Sequence, residues 1–203
     1  MAIHIHQHDL PAGVTFGDAV AIDTETMGLN PHRDRLCVVQ LSAGDGDAHL
    51  VQIASPAHPC PHLTALLADP QVTKLFHFAR FDIASLTNGI GPVVGPIYCT
   101  KIASKLARTY TDRHGLKDLC RELLKIDISK QQQSSDWGAE DLTAEQADYA
   151  AGDVLYLHRI RNQLDAMLAR ENRTAIAAHC FAFLPTRARL DLDGFAELDI
   201  FQH

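Results

Sequence analysis

The sequence predicts a layered domain of the α/β or α+β class, in which strands come first, mixed units follow and helices end the chain. Three apolar stretches with turn residues between them predict an antiparallel meander of strands at 19–26, 34–42 and 48–53. Helical periodicity then alternates with short apolar strands. The chain has 203 residues, 46% of them apolar, which is enough to bury one full core. One compact domain is therefore expected.

The second half of the chain is predicted to combine short strands with helices. Strands are expected at 73–78 and 97–99, the latter running into a helix, and further helices at 61–68, 81–88, 114–125 and 144–170. The last helix opens on a capping box, because Thr143 is followed three positions later by Gln146. The polar stretch 129–138 is predicted to be a loop.

Both ends of the chain have unusual patterns. His4, His6 and His8 occupy every second position, as residues on one side of an edge strand do. Metal binding is the alternative, but the sequence offers no clear fourth ligand. The apolar segment 176–203 is broken by Pro185 and Gly194. It either packs back on a domain formed by 1–175 or covers a partner subunit, and we expect the partner.

Composition excludes several classes of protein. No run approaches the roughly 18 apolar residues of a membrane span, and the N-terminus lacks the features of a secretory signal, so a cytoplasmic protein with no membrane contact is expected. The five cysteines are widely spaced and never form a C-x-x-C pair, which argues against a zinc site or a disulfide framework.

The net charge of -7 is unusual for a nucleic-acid-binding protein, but the charge is unevenly distributed. Residues 101–130 carry eight Lys/Arg and four acids, a local charge of +4, so the remainder carries -11. Any phosphate-binding surface should be small and local. An ordinary solvated helix face is the alternative explanation.

Two carboxylates interrupt the first predicted strand of the meander. Asp23 and Glu25 are two positions apart, so their side chains point to the same face. Neighbouring carboxylates on an apolar strand repel each other and are costly to desolvate, which indicates a cation between them. Oxygen ligands suit Mg²⁺ or Mn²⁺. A solvent-facing pair on an edge strand is the alternative.

Further candidate residues come from two other elements. Asp82 follows "FHFARF", where a strand gives way to a helix, and by itself could be an acid favoured by the helix dipole. Tyr149 and Asp153 are spaced i, i+4 and share one face of a late helix. By itself Tyr149 could be a half-buried aromatic residue. The combination of these patterns is what points to metal-dependent chemistry.

These motifs together resemble the DEDD exonucleases in the subclass that uses tyrosine. "SDW" at 135–137 and "YAAGDVLYL" at 149–157 are similar to ribonuclease D, and the resemblance covers about residues 19–168. "DTETMGLNPHRDRLCVVQL", "CTKIASKLARTYTDRHGLK", "SKQQQSSDW" and "FLPTRARLDLDGFAELDIF" look like the nano-RNase C family of small ribonuclease D-like enzymes. The resemblance implies a ribonuclease H-like mixed sheet flanked by helices in a single domain. It also implies hydrolysis of very short single-stranded RNA, dinucleotides above all, from the 3′ end by a ring-shaped homo-oligomer.

The resemblance also implies roles for particular residues. Asp23, Glu25, Asp82 and Asp153 would hold two divalent cations, Mg²⁺ or Mn²⁺, and Tyr149 would orient the attacking water. Leu29 would wedge between two bases. The alternative is that Leu29 is a core residue that flanks a turn. The substrate-binding candidates are Thr26, Met27, Gly28, Leu29, His77, Phe78, Arg80, Arg113 and His114.

Two other functions remain open at the level of sequence. The first is a broader ribonuclease D-like exonuclease that trims structured RNA 3′ ends or degrades single-stranded DNA. The acidic surface disfavours it, because long substrates favour a wider basic track. The second is a binding module that has the same fold but no catalytic activity. The complete set of five motif residues disfavours that reading.

Overall fold

Six strands form one mixed sheet in the computed structural model, which describes residues 2–55, 58–128, 132 and 135–202. The strands are β1 (Ile3–Gln7), β2 (Ala19–Thr26), β3 (Leu36–Ser42), β4 (Ala48–Gln52), β5 (Thr73–Phe76) and β6 (Ile97–Cys99). Their order across the sheet is β1-β4-β3-β2-β5-β6. The predicted antiparallel meander of β2, β3 and β4 is confirmed, whereas β1 pairs parallel to β4, and β5 and β6 continue parallel to β2.

Helices cover both faces of this sheet. They are α1 (Pro61–Ala68), α2 (Ala79–Gly89), α3 (Thr100–Ala107), α4 (Leu116–Leu119), α5 (Ala144–Val154), α6 (Leu157–Arg170) and α7 (Thr174–Leu190). Helix α5 covers β2, β3 and β4 on one face, where Val38 and Leu50 pack against Ala147, Ala150 and Trp137. Helix α2 packs on β2, β3 and β5. The predicted single-domain mixed sheet flanked by helices is confirmed.

The parallel pairing of strands determines where functional side chains lie close together. Strands β2, β5 and β6 run in the same direction, so their carboxyl ends meet at one edge of the sheet. Helices α2 and α3 begin within three residues of β5 and β6, at that same edge. Open sheets of this kind bind ligands outside the carboxyl ends of their strands.

The prediction of one long helix at 144–170 is wrong in one respect, because this segment divides into α5 and α6. The break lies at Leu155 and Tyr156, between the end of α5 at Val154 and the start of α6 at Leu157. The break lets α5 lie across the sheet while α6 packs against α3, α7 and β5. The capping box of Thr143 and Gln146 is confirmed.

Three smaller predictions also need correction. The helix predicted at 114–125 begins at Leu116 and changes to a π-helical turn at Cys120–Leu124. The strand predicted at 73–78 ends at Phe76, because Phe78 adopts a left-handed conformation with φ 73° that starts α2. The predicted loop at 129–138 lies partly outside the described residues, which omit 129–131, 133 and 134.

Helix α7 runs through Pro185, contrary to the predicted break. Phe181, Leu184 and Ala188 are buried, and the Phe181 ring lies 4.6 Å from that of Tyr98. Helix α7 packs against β6, α2, α3 and α6. The stabilisation from this packing outweighs the loss of the backbone hydrogen bond that proline removes. A π-helical turn follows at Asp191–Phe195, where Gly194 has φ 93°. The expected boundary at 175/176 therefore falls inside α7.

Strand β1 lies at the edge of the sheet, as predicted for His4 and His6. Their rings stack with His49 of β4, at centroid distances of 4.8 and 5.2 Å. His8 is the exception, because it lies outside the strand with φ 72° and stacks on His58. Within the described part of the chain, none of the helices has the length and apolarity that crossing a membrane requires.

Candidate active site

A cleft of about 690 Å³ opens at the carboxyl end of β2 and contains all five motif residues. Asp23 and Glu25 project from β2, and Asp153 comes from α5, which lies across that strand. One possible ligand atom from each of these three residues lies within 4.8 Å of the others. Carboxylates that are remote in sequence therefore converge on a volume suited to one cation.

Asp82 enters the same cleft from the first turn of α2 but does not belong to that group of three. Its side chain is almost fully buried, and the Thr24 hydroxyl donates a hydrogen bond of 2.7 Å to Oδ1. Thr24 lies between Asp23 and Glu25 in β2, and its side chain points to the opposite face of the strand. Strand β2 therefore supplies two carboxylates and also orients the carboxylate of Asp82. Asp82 therefore lines the same cleft as the group of three, with its carboxylate held in one orientation.

Burial and mutual repulsion raise the pKa of these carboxyl groups. Burial raises the pKa of Asp23 well above its ordinary range, and the charges of Asp82, Asp153 and Glu25 raise it further. Burial and the charges of Asp153 and Asp82 raise the pKa of Glu25 to about 9, while burial raises that of Asp82 to about 7. Divalent cations would relieve this repulsion. The all-oxygen ligand set fits Mg²⁺ or Mn²⁺.

Tyr149 stands one helical turn before Asp153 and lines the cleft. Its ring lies 6.0 Å from that of Trp137, which is buried and reaches the same cleft. Burial and the neighbouring carboxylates raise the pKa of Tyr149 above its ordinary value. The side chain is therefore a phenol that can donate a hydrogen bond beside the acidic group.

The rim of the cleft carries exposed apolar side chains. Leu29 is 85% exposed, Met27 52% and Phe78 48%, and all three line the cleft. Leu29 is therefore not a core residue, which removes the alternative explanation for it. The Lys101 Nζ atom lies 4.2 Å from the centre of the Phe78 ring. Apolar faces beside a cation suit nucleotide bases and phosphates.

Local hydrogen bonds hold the loop that presents Leu29. The Thr26 hydroxyl donates to the Gly28 carbonyl at 2.5 Å, and the Met27 amide donates to the Arg35 carbonyl at 3.0 Å. A Cβ on Gly28 would lie 2.3 Å from Oδ2 of Asp34. Position 28 therefore accommodates only glycine unless the Asp34 carboxylate moves.

Comparison with known proteins identifies the family. Residues 8–169 match the family described as 3′-5′ exonuclease. The chain belongs to this family. Ribonuclease D from Acidiphilium cryptum is 36% identical over 76% of the chain and 39% of the relative's length. Ribonuclease D from Granulibacter bethesdensis is 35% identical over 85% of the chain and 44% of the relative's length. The chain thus spans less than half the length of these curated relatives.

Solved structures of NrnC from Brucella melitensis are similar over the whole chain. The structure with bound Mg²⁺ is 57% identical with a TM-score of 0.95, and the alignment covers 100% of both chains. The structure bound to pGG is 58% identical with a TM-score of 0.96, covering 100% of this chain and 99% of the other. These matches confirm the predicted resemblance to ribonuclease D-like exonucleases.

The structure brings six of the nine predicted substrate-binding residues to the cleft. Thr26, Met27, Gly28, Leu29, His77 and Phe78 line it. The other three, Arg80, Arg113 and His114, are not among its lining residues.

Arg80 instead pairs with the C-terminal segment. Its guanidinium donates to both oxygens of Asp191 at 2.5 and 2.7 Å and to the Ala196 carbonyl. Residues two apart on a helix point in roughly opposite directions, so Arg80 cannot share the direction of Asp82. His114 Nδ1 lies 2.9 Å from the Ser104 hydroxyl.

Several cleft residues were missed by sequence reasoning. Lys101 lines the cleft as a cation and Trp137 lines it as an aromatic residue, whereas Lys117, which also lines it, belongs to the basic stretch 108–117 that was expected to contact phosphates. Lys101 stands in the first turn of α3, directly after β6. Its position could have been inferred only by recognising that β5 and β6 are parallel, since that pairing brings their helix starts to one edge.

Proposed function

We propose that this member of the exonuclease family is a metal-dependent 3′-5′ exoribonuclease that hydrolyses very short RNA, dinucleotides above all, to mononucleotides. The observation that carries this proposal is the joint occurrence of four convergent carboxylates and an exposed apolar rim in one cleft. Its volume of about 690 Å³ falls within the range of small-ligand sites, roughly 300–1,000 Å³.

Four residues would hold the cations. Asp23, Glu25 and Asp153 have the proximity for one cation, and Asp82 beside Asp23 offers the second position. A bound pair would neutralise phosphate charge and lower the pKa of an attacking water. Thr24 contributes by holding the Asp82 carboxylate in a fixed orientation through its hydroxyl.

The remaining residues orient the substrate and the water. The Tyr149 hydroxyl would donate a hydrogen bond that orients the attacking water at the acidic group. Leu29 and Phe78 would cover the base faces, which is sequence-tolerant because every base has an apolar face. Lys101 and Lys117 would attract the phosphates. The pGG bound to Brucella melitensis NrnC supports a substrate of this size.

A broader exonuclease acting on structured RNA ends or single-stranded DNA is the second candidate, and the ribonuclease D relatives favour it. The cleft disfavours it, because Lys101 and Lys117 are the only Lys or Arg residues among the described residues that line it. Long substrates need a longer basic track than two cations provide.

We also propose a homo-oligomer, in the form of a ring, and a role in the cytoplasm. Apolar side chains remain exposed after α7, namely Phe195, Leu198, Ile200 and Phe201. They supply the apolar surface that a second copy would cover. The five free cysteines suit a reducing compartment. Sedimentation of the wild type and of the double variant Leu198→Ser/Phe201→Ser tests the assembly, which the double variant is expected to weaken.

Digestion of RNA of graded length tests the proposed activity. Two-, five- and twenty-residue RNAs are incubated with Mg²⁺, with Mn²⁺ and with a chelator, and mononucleotides are measured. We expect the highest rate on the dinucleotide and none with the chelator. Asp23→Asn is the control for a contaminating nuclease. Fastest cleavage of the twenty-residue RNA would favour the broader exonuclease, and equal activity in chelator would refute the metal-dependent mechanism.

A further inference from the structure

Gln40, in the middle of β3, is a buried polar residue that the chemistry described so far does not use. Its side chain is 0% exposed, and neither amide atom has a hydrogen-bond partner among the described residues. The remainder of β3 is apolar apart from Ser42 at its end. A buried amide without partners destabilises a protein, so its presence requires an explanation.

The register of the sheet places Gln40 directly opposite Asp23. These residues are partners in the antiparallel β2–β3 pair, and Gln40 is also opposite Leu50 of β4. Side chains of directly opposed residues lie on the same face of a sheet, with Cβ atoms about 4.5–5.5 Å apart. The amide therefore extends from the same face as the Asp23 carboxylate, beneath α5.

Among the described residues on this face, the apolar neighbours and Ser42 offer no partner for the amide. Val38 and Leu50 are apolar, and α5 covers them with Ala147 and Ala150. Ser42 already donates to the Asp47 carbonyl at 2.7 Å and accepts from the Gly44 amide at 3.1 Å. Asp23, directly opposite in the register, is the carboxylate placed closest in register to the amide.

We propose that Gln40 is a positioning residue for metal binding, whose side-chain amide donates a hydrogen bond to the Asp23 carboxylate in the metal-loaded enzyme. This inference rests on the proposed cation site. A carboxylate that would hold a cation must keep one orientation, and a buried amide opposite it supplies a donor that solvent cannot displace. Such outer partners of metal ligands typically change metal affinity by about 10–100-fold when removed.

Calorimetric titration of the metal-free protein with Mn²⁺ tests this role without depending on turnover. Gln40→Met keeps the buried volume and removes the amide, and we expect its Mn²⁺ affinity to fall by about tenfold or more. With a dinucleotide substrate, kcat is expected to fall while KM changes little. In chelator the thermal unfolding temperature should be unchanged or higher, because a buried amide without partners is removed. Gln40→Leu should behave in the same way.

Gln52→Met is the matched control on the neighbouring strand. Gln52 is buried but satisfied, since it accepts from Gln7 at 2.8 Å and donates to the Glu140 carbonyl at 3.2 Å. Its replacement should lower the unfolding temperature and leave Mn²⁺ affinity unchanged. Equal Mn²⁺ affinity in wild type and Gln40→Met would overturn the positioning role while leaving the proposed function intact. Failure of the wild type to bind Mn²⁺ would overturn both.

Discussion

Replacing Leu29 by alanine should weaken substrate use without affecting the fold. Leu29 is 85% exposed in the free protein, so nearly all of its apolar surface is available to be covered by bases. The change removes roughly three methylene equivalents at about 0.8 kcal/mol each, or about 2.4 kcal/mol; because 85% of the residue is exposed and can be newly covered, close to 2 kcal/mol of binding is lost. At about 1.4 kcal/mol per factor of ten, this corresponds to a loss of roughly 30-fold.

The assay is steady-state hydrolysis of a dinucleotide, with mononucleotide release measured over a range of substrate concentrations. We expect kcat/KM of Leu29→Ala to fall by roughly 30-fold, and the free energy of unfolding to change by less than about 0.5 kcal/mol, because the residue is exposed. Val94→Ala is the matched control, since Val94 is exposed but lies outside the cleft. An unchanged kcat/KM in Leu29→Ala would refute the wedge between bases.

Three further predictions follow from the same structure. Tyr149→Phe should lose most of its turnover while keeping Mn²⁺ and RNA affinity, because only the hydroxyl proposed to orient water is removed; kinetics and calorimetry measure this. Gly28→Ala should lower kcat/KM, because the new Cβ would displace the Asp34 carboxylate and with it the rim loop. Burial and neighbouring histidines lower the pKa of His6 and His49 below the ordinary 6.5. The unfolded chain therefore binds more protons as pH falls below about 6.5, and stability should decrease there.

Thermal unfolding between pH 7.5 and 5.5 tests the last prediction, with His49→Gln as the comparison. The variant should lose less stability than the wild type over that range. Parallel pH profiles for the two proteins would show that this cluster does not control the effect. Full turnover by Tyr149→Phe would remove the hydroxyl from the mechanism, and normal kinetics in Gly28→Ala would show that the loop adapts.

The sequence was sufficient for most secondary structure because local periodicity and turn chemistry determine it. Strand β2 was predicted with its observed bounds, and the meander followed from the turns between strands. The errors arose where packing overrides local preference. Helix α7 continues through Pro185 because Phe181 and Leu184 are buried, and the helix predicted at 144–170 breaks at Tyr156 so that its halves contact different layers.

The site was predictable to the extent that its residues carry spacing signals. Asp23 and Glu25 share a strand face, and Tyr149 and Asp153 share a helix face, so each pair could be inferred from periodicity. Lys101 carries no such signal, because its position depends on the parallel pairing of β5 and β6. Arg80 was predicted to bind substrate, whereas it pairs with Asp191.

The sequence by itself determined which chemistry is available: an all-oxygen set of carboxylates with a phenol beside it, carried on a strand and two helices. Only the tertiary structure decided which of those groups share a cleft, and which buried amide lies opposite Asp23. The physical reason is that side-chain direction within one element follows from its period, whereas proximity between elements depends on strand order and register. Those depend on packing across the whole core.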